Sequence, residues 1–596
     1  MERNEIPEKD RWNLEKMYLD RAAWDKDFEE AAKLMEELPQ YPGTVTDSAE
    51  RLYEYLQLDQ KLGMKLDKLF VYAKMKLDED NRQNVYQAMQ DKAMALSVKA
   101  AEQTSFFTPE ILAKGSEFME QLIDSYEPLR PYRRMFQDML RFEPHILNQR
   151  EEAILAMSGE MSETAQAAFT MFNEADLKFP EIEGADGKPV KINHANFIRL
   201  MESKDRRVRK DTYQGLYASY GAYRNTVAAT LSGSVKKDVF YAKVRHYPSA
   251  LEDALFADHV TTELYDNLIH TVKENCDAFQ DYLRLRKKVL GLDELHFYDV
   301  YTPLVSEEDK DIPFEEGFEL VKKALAPLGD DYVAMIQKAR DDRWMDVREN
   351  EGKRSGAYSW GVCDSDPYLM LSYQDNLNSV FTMAHELGHS MHSYYSWNNQ
   401  PYQYAYYKIF VAEVASIVNE TLLTAYLLDK SESDMEKAYL LNQYLDEFRG
   451  TVYRQTMFAE FEKIIHHRAE HMEGLTADDM CDIYLNLNKE YFGDAIVYDD
   501  EIAMEWARIP HFYNAFYVYK YSTSYAAAQA LAAKILSGDE NAVKAYKEFL
   551  KSGSSDYPNE LLKKAGVDLT DPKTIEAIFP VFRERLEELS TLLEKR

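Results

Sequence analysis

Apolar residues recur three and four positions apart through most of this 596-residue chain. The spacing runs through residues 1 to about 175, as in "AERLYEYLQLDQKLGMKLDKLFVYAKMKLDED", and returns from about 195 to 290. On a helix it places the apolar side chains on one face, and that face has to be buried against another element. The sequence therefore predicts a mainly α fold of many packed helices.

Two short segments interrupt the helical spacing. "LKFPEIEGADGKPVKI" has β-prone residues on both sides of Asp186-Gly187, a pair suited to the positive φ of a hairpin turn. "SGAYSWGVCDSDPYLMLSYQDN" predicts a small sheet that leads directly into a helix. An exposed edge strand there would hold an extended peptide by main-chain pairing; an internal hairpin without a ligand is the alternative. A domain boundary near the first segment would separate residues 1–190 from residues 191–596.

Charge and cysteine content exclude several classes of protein. The formal net charge of -33 disfavours a nucleic-acid partner, which needs a clustered basic surface. Cys276, Cys363 and Cys481 are far apart and odd in number, so no disulfide framework is expected and a reducing cytoplasm fits. The first residues, "MERNEIPEKDRWNLEKMYLD", are charged throughout, and we see no apolar run near the length of a membrane span. We expect no secretion signal and no membrane partner.

The stretch "FTMAHELGHSMHSYY", residues 381–395, carries His385 and His389 four positions apart, with Glu386 directly after the first. On a helix both imidazoles lie on one face and can bind one metal ion. Glu386 is rotated by roughly a third of a turn and would lie beside the ion, where a base acting on water belongs. Apolar neighbours would bury the helix, and buried histidines without partners are costly. The pattern predicts a catalytic zinc site; two surface histidines are the alternative.

A catalytic zinc site of this kind needs a third protein ligand. His392 lies about 10 Å from His385 along the helix axis, too far to share an ion, and we expect it to pack nearby. Glu413, in the apolar segment "YKIFVAEVASIVNETLLTAYLL", is enclosed and needs a cation, so it is the predicted ligand. Glu420 is on the same helical face and is predicted to accept the outer N–H of a zinc-bound histidine. The reverse assignment of the two glutamates is the alternative.

A tyrosine-rich segment near the C-terminus, "RIPHFYNAFYVYKYSTSYAAAQAL", offers hydrogen-bond donors. Tyr513, Tyr517 and Tyr521 recur every four residues, which predicts one face of a helix, with His511 just before its start. Phenol and imidazole groups suit the stabilisation of an oxyanion in amide hydrolysis, or the binding of a substrate main chain. An aromatic packing stripe is the alternative.

A second group of histidines, His466, His467 and His471, lies in "FEKIIHHRAEHMEG". The spacing of the last two would also suit a metal ion. No glutamate base is adjacent to them, however, and the segment looks amphipathic, so we predict an exposed helix face.

Taken together, these motifs resemble the oligoendopeptidase F branch of the thimet-oligopeptidase-like (M3) family of zinc peptidases. The resemblance covers most of the chain, through "ADLKFPEI", "KDVFYAKVRHYPSALEDAL", "GAYSWG", "HELGHSMH", "FVAEVASIVNE" and "IPHFYNAFYVYKYS". It implies a large helical, neurolysin-like fold with a small β element beside the active-site helix and a deep substrate channel between lobes. It also implies one zinc ion per chain, a cytoplasmic location and cleavage of short unstructured peptides.

Carried over residue by residue, the resemblance puts the zinc ligands on His385, His389 and Glu413 and the base on Glu386. These residues would make residues 191–596 the catalytic domain.

The same resemblance puts the transition-state donors on the segment from His511 to Tyr521. We assign His511 and Tyr521 to catalysis, and Tyr513 and Tyr517 to substrate binding. In better-known thimet-type members a glycine-rich loop separates the histidine from the tyrosines, whereas "HFYNAFYVYKY" is shorter and lacks glycine. Which tyrosine is the main donor is therefore open.

The sequence thus predicts a zinc metallo-endopeptidase that hydrolyses internal bonds of short peptides, with Glu386 as general base. One alternative is a zinc carboxypeptidase or peptidyl-dipeptidase on the same scaffold, which would need a cation to hold the substrate's C-terminus. Another is a peptide-binding protein without activity, against which the presence of Glu386 argues. The oligomeric state is left open.

Overall fold

The computed structural model describes residues 1–305 and 311–595, and its mainly helical architecture confirms the fold class that the apolar spacing predicts. The α-helices are, in chain order, α1 (Arg21–Met35), α2 (Ala49–Glu79), α3 (Asn84–Thr104), α4 (Phe107–Ser125), α5 (Arg133–Leu140), α6 (Gln149–Ser162), α7 (Thr164–Met171), α8 (Phe197–Met201), α9 (Arg206–Gly221), α10 (Arg224–Val244), α11 (Ala250–Phe256), α12 (Thr262–Glu274), α13 (Cys276–Val289), α14 (Phe314–Ala324), α15 (Asp330–Asp341), α16 (Leu377–Asn399), α17 (Ala412–Lys430), α18 (Asp434–Phe448), α19 (Arg454–Glu470), α20 (Ala477–Phe492), α21 (Tyr519–Leu536), α22 (Glu540–Leu550), α23 (Pro558–Lys564), α24 (Pro572–Glu576) and α25 (Ile578–Glu594).

The chain forms two compact units, each assembled from three separate segments. The first unit contains Met1–Pro144, Lys310–Tyr426 and Leu531–Val567, and the second contains His145–Asp309, Leu427–Ala530 and Asp568–Arg596. The boundary predicted at residue 190 falls inside the second unit. The helix α16 belongs to the first unit, and the tyrosine-rich segment 511–521 belongs to the second.

The first strand-prone segment forms an antiparallel hairpin in the second unit, from β1 (Glu181–Glu183) and β2 (Pro189–Lys191). Gly187 has a φ of +76°, as the Asp-Gly pair predicts. The Gly184 N–H donates to the Lys188 carbonyl oxygen at 2.7 Å and closes the turn. The predicted hairpin is therefore confirmed.

The second strand-prone segment forms most of a three-stranded sheet in the first unit. Its strands β3 (Met345–Asp346), β4 (Tyr358–Trp360) and β5 (Tyr368–Met370) lie in the order β3-β5-β4, with β3 parallel and β4 antiparallel to β5. Helix α16 begins soon after β5, at Leu377, which confirms the predicted sheet leading into a helix. The strand β4 is an edge strand, and its Ser359 hydroxyl lies 2.7 Å from the Ser390 hydroxyl on α16.

A buried ion pair fixes this sheet. Asp346 of β3 and Lys353 are both fully buried, with Nζ 2.7 Å from the carboxylate. The same Nζ donates to the carbonyl oxygen of Arg348 at 2.6 Å, and Arg3 also pairs with Asp346. Because a buried charge is tolerated only when it is paired and hydrogen-bonded, these contacts hold the N-terminal segment and the sheet in one arrangement.

Close contact between α16 and α17 is permitted by a glycine. A Cβ atom on Gly388 would lie 2.5 Å from the Cα of Ser416 and 2.6 Å from the carbonyl oxygen of Ala415. Asn419, fully buried on α17, also donates from Nδ2 to the Ala384 carbonyl oxygen at 3.0 Å. The two helices are thus joined both by close backbone contact and by a buried hydrogen bond.

Among the described residues, the segment Ile409–Lys430, which contains α17, has the length and apolar composition of a membrane-crossing helix. An 18-residue window within it has a mean hydropathy of 1.3, and 61% of that window is buried within the protein. It was not recognised as an apolar run at the sequence level, because the glutamates that it carries interrupt it. Burial against α16 and hydrogen bonding from Asn419 are features of a core helix.

The substitution Gly388→Ala is expected to lower the free energy of unfolding by about 1–3 kcal/mol, because the added methyl group overlaps backbone atoms of α17 that cannot move aside. Urea unfolding measures the change. Gly159→Ala on α6 is the matched control: nothing lies within 4 Å of the new methyl group. Relief of glycine's helix cost should make this control neutral or more stable by about 0.5–1 kcal/mol. Equal stability of Gly388→Ala and the wild type would contradict the close helix contact.

Candidate functional site

Three side chains from α16 and α17 converge on one point in the first unit. The Nε2 atoms of His385 and His389 are 3.2 Å apart. The Glu413 Oε2 atom is 3.4 Å from each of them. The histidines converge because they are one helical turn apart, and Glu413 reaches them because of the close helix contact at Gly388.

This triangle of donor atoms fits a tetrahedral zinc ion. Nitrogen and oxygen ligands bound at about 2.0–2.2 Å in tetrahedral geometry are about 3.3–3.6 Å from one another. The observed separations of 3.2, 3.4 and 3.4 Å are close to that range. Two imidazoles and one carboxylate are also a donor set that zinc accepts, with a fourth position left for water. Among the described residues, this is the one group that the structure offers as a metal site.

The acidic surroundings attract positive charge to this point. The Nδ1 atom of His385 lies 3.2 Å from Oε1 of Glu420. Burial opposes the charged imidazole, but hydrogen bonds to Glu413 and Glu420 outweigh it and raise the pKa of His385 to about 11. Burial also opposes ionisation of Glu413, yet the two histidines hold its pKa well below its ordinary value. Glu413 thus lies against the Nε2 atoms of both histidines and Glu420 against the Nδ1 atom of His385; the roles of the two glutamates stay predictions.

Two residues that the sequence reasoning missed bond to this group or to the backbone beside it. The Ser416 hydroxyl donates to Oε2 of Glu413 at 2.9 Å. Asn419 bonds to the carbonyl of Ala384, the residue before His385, and accepts a hydrogen bond from the Tyr332 hydroxyl at 3.2 Å. The Ser416 contact spans three positions on one helix and was accessible from spacing. The Asn419 contact joins distant parts of the chain and was not.

Glu386 is buried beside His385, His389 and Glu413, with 7% of its surface exposed. Burial raises its pKa above the ordinary value, while His389 and His385 oppose that shift. A carboxyl group whose proton affinity is raised in this way is suited to accept a proton from water near neutral pH.

His392 does not join the ligand group. It is 1% exposed, and its ring stacks on Tyr407 with the centroids 3.7 Å apart. Burial lowers its pKa to about 3, so the ring is neutral. The expectation that His392 packs beside the site rather than binding the metal is consistent with these contacts.

The prediction that Tyr513, Tyr517 and Tyr521 share one helical face is wrong. Residues Pro510–Tyr513 form a short 3₁₀ turn, and α21 begins only at Tyr519. The helix is interrupted because Phe516 adopts a φ of +57°, which an α-helix cannot accommodate. Four-residue spacing across such a turn no longer places side chains on one face.

The turn nevertheless groups three of the four predicted donors. The His511 ring centroid lies 6.2 Å from that of Tyr517 and 6.1 Å from that of Tyr521. The two tyrosine rings are 5.5 Å apart. Exposed His511 and half-buried Tyr517 and Tyr521 thus form one aromatic cluster.

Tyr513 lies apart from this cluster. It is 4% exposed, stacks on Phe169 with the centroids 4.3 Å apart, and has its hydroxyl 2.7 Å from that of Thr230. These contacts favour a supporting role in the turn, and substrate binding by Tyr513 stays a prediction.

The second histidine group is only partly exposed. His467 and His471 are exposed, as predicted, whereas His466 is buried at 1% exposure, so the prediction is wrong for that residue. Its Nδ1 atom lies 2.8 Å from the Glu462 carbonyl oxygen and its Nε2 atom 3.2 Å from Oδ2 of Asp238. Sequence spacing could not reveal the burial of His466, because one partner, Asp238, lies on α10 and the other is a backbone carbonyl of its own helix.

Comparison with known proteins gives two family matches. Residues 199–580 match the model of peptidase family M3, and residues 110–179 match that of the oligopeptidase F N-terminal region. The chain is 46% identical to oligopeptidase PepF of Bacillus subtilis, over all of this chain and 89% of that protein. It is 40% identical to group B oligopeptidase PepB of Streptococcus agalactiae, over all of this chain and 98% of that protein.

Solved structures agree with these matches. A Chlamydophila abortus protein is 37% identical, has a TM-score of 0.92 and is covered over 99% of both chains. Oligoendopeptidase-F from Enterococcus faecium is 36% identical with a TM-score of 0.76, over 96% of this chain and 99% of that one. With the family model covering most of the chain, and a His–His–Glu group where a metallopeptidase needs one, this chain belongs to peptidase family M3.

Proposed function

We propose that this peptidase is a zinc oligoendopeptidase that cleaves internal bonds of short, unstructured peptides. The observation that carries the proposal is the triangle formed by His385, His389 and Glu413 beside the buried carboxyl of Glu386. The substrate class is supported by the names of the relatives, which are oligopeptidases and oligoendopeptidases.

In this proposal Nε2 of His385, Nε2 of His389 and a carboxylate oxygen of Glu413 would hold one zinc ion per chain. Glu420 accepts the Nδ1–H of His385, which fixes the tautomer that leaves Nε2 free to bind. Zinc in such a site lowers the pKa of a water ligand toward neutrality and polarises a carbonyl group.

Glu386 moves the proton. Its carboxylate takes a proton from the attacking water, and the acid so formed gives the proton to the nitrogen of the leaving amine. Burial supports this double role, because it raises the pKa of the Glu386 carboxyl toward neutral pH.

His511 and Tyr521 are proposed to donate hydrogen bonds to the carbonyl oxygen as negative charge develops on it. Tyr517 is proposed to contact the substrate, with Tyr513 in the supporting position that its contacts favour. These roles rest on the chemistry of the aromatic cluster and on the resemblance of this segment to the family's. The deep channel that the family resemblance implies would exclude folded proteins.

We also propose a cytoplasmic location with short peptides as the partners. The thiols of Cys276, Cys363 and Cys481 are all free, which suits a reducing compartment.

Hydrolysis of an internally quenched peptide about ten residues long, blocked at both ends, tests the proposal. The zinc-loaded protein should cleave it at internal bonds. Cleavage should stop when a chelator removes the metal and return when zinc is restored, because the proposed reaction depends on zinc to activate the water and to polarise the carbonyl group. The products are identified by mass spectrometry.

Two results would contradict the proposal. Cleavage of unblocked peptides alone, from one end, would indicate a carboxypeptidase or a peptidyl-dipeptidase. Tight binding of both peptides without any cleavage would indicate a peptide-binding protein.

The substitution Glu386→Gln should lower kcat by about a factor of 10²–10⁴, because an amide cannot accept the proton. Zinc content and KM should change little, since Glu386 is not a ligand. Elemental analysis and peptide kinetics measure the two effects. The control is Glu432→Gln, the same change at an exposed glutamate outside the site, which should keep wild-type kinetics. Loss of zinc from Glu386→Gln would contradict the division of roles between base and ligands.

A further inference from the structure

The turn that groups His511, Tyr517 and Tyr521 is centred on a residue in an unfavourable conformation. Phe516 has a φ of +57° and is 2% exposed. The left-handed conformation costs about 1–2 kcal/mol for a residue with a Cβ atom, and bulky residues adopt it only when their surroundings impose it. Some contact must therefore hold Phe516 in place.

The contact on the backbone of Phe516 comes from α19. Oε1 of Glu462 accepts a hydrogen bond from the Phe516 N–H at 3.0 Å. Glu462 is fully buried, and its other oxygen, Oε2, has no hydrogen-bond partner among the described residues. Burial raises the pKa of Glu462 well above its ordinary value, which favours the neutral acid. A buried carboxyl group with one hydrogen bond is costly, and packing of an apolar core does not require it.

Side-chain contacts fix the flanks of the turn separately. On one side the Tyr513 hydroxyl meets Thr230 at 2.7 Å. On the other side, Lys520 Nζ lies 2.7 Å from Oδ2 of Asp258. These contacts hold the two ends of the segment, and the bond to Glu462 holds the Phe516 amide between them.

Helix α19 makes a second contact with Phe516. The ring of His466, one turn after Glu462, packs on the ring of Phe516 with the centroids 4.5 Å apart. Its Nδ1 lies 2.8 Å from the carbonyl oxygen of Glu462. The ring and the amide of Phe516 are thus both held by α19.

We propose that Glu462 is a positioning residue for the reaction: its carboxyl oxygen holds the Phe516 amide and so sets the turn that groups His511, Tyr517 and Tyr521. This rests on the proposed function, in which His511 and Tyr521 stabilise the developing oxyanion. Glu462 acts through the backbone and does not touch the substrate. The acceptor oxygen is what matters, not the charge.

Two substitutions separate the acceptor from the rest of the side chain. Glu462→Met fills a similar volume but offers only a weakly accepting sulfur. We expect it to lower kcat by about 10–100-fold, since a shift of about 1 Å in catalytic groups has effects of that size. KM should change less than kcat, because Tyr517 is the one residue of the cluster proposed to contact the substrate in the ground state, whereas His511 and Tyr521 act on the developing oxyanion. Glu462→Gln keeps the carbonyl acceptor and should restore kcat to within about threefold of the wild type.

Hydrogen–deuterium exchange gives a readout that does not depend on activity. In Glu462→Met, peptides that cover residues 511–521 should exchange faster, with the rest of the chain unchanged; in Glu462→Gln they should not. Glu460→Gln is the matched control on the same helix. Its carboxylate bonds to Lys273 at 2.7 Å and to Tyr491 at 3.0 Å, not to the turn, so kinetics and exchange in 511–521 should stay as in the wild type.

Several results would overturn the proposal. Wild-type kcat in Glu462→Met would do so, as would a Glu462→Gln variant as impaired as Glu462→Met. Should Glu462→Met fail to fold, Glu462→Leu replaces it with the same expectation. Loss of the whole fold in both, seen as loss of bound zinc and early melting, would also overturn it, because the assigned role is local.

Tyr521→Phe distinguishes this failure from failure of the proposed function. If Tyr521→Phe keeps the wild-type kcat, the donor role of Tyr521 is wrong whatever Glu462 does, and the exchange result alone decides whether Glu462 holds the turn. If Tyr521→Phe lowers kcat and Glu462→Met does not, the donor role stands and the positioning role of Glu462 is wrong.

Discussion

The site depends on the backbone contact between α16 and α17 at Gly388. Without it, the Glu413 carboxylate could not lie 3.4 Å from both imidazole nitrogens. Glycine permits the approach, the buried Asn419 amide fixes it, and Ser416 turns the carboxylate toward the histidines. A metal ligand set assembled from two helices is only as accurate as their packing, because ligand distances have to hold within a few tenths of an ångström.

Burial gives two glutamates different tasks in the two units. Both Glu386 and Glu462 have a raised pKa because they are taken out of water. Glu386 is next to His385, His389 and Glu413, the proposed metal ligands, so its increased proton affinity suits the proton transfer proposed for it. Glu462 has the backbone N–H of Phe516 as its hydrogen-bond partner, so the same desolvation suits a fixed acceptor. The environment of each carboxyl group, not its chemical type, therefore decides its role.

The sequence predicted those features that depend on local spacing or on simple chemical need. The helical fold, the hairpin at Gly187 and the pairing of His385 with His389 all follow from periodicity over a few residues. Glu413 was predicted as a ligand because an enclosed carboxylate needs a cation. The common helical face of the tyrosines was predicted wrongly, since Phe516 interrupts the helix through a conformation that its side chain does not favour. Glu462 and Asn419 were missed because each bonds to a backbone group distant in sequence, and residue spacing cannot predict such a contact.

X-ray absorption at the zinc edge, on protein loaded with one equivalent of zinc, tests the central assignment most directly. Coordination by His385, His389 and Glu413 predicts two imidazole nitrogens and one carboxylate oxygen at about 2.0–2.2 Å, together with one water oxygen. Replacing Glu413 by alanine should leave both imidazoles but weaken zinc binding, because water is a poorer ligand than a carboxylate. Wild-type zinc affinity in Glu413→Ala, or a spectrum with a sulfur ligand or a third imidazole, would contradict the assignment.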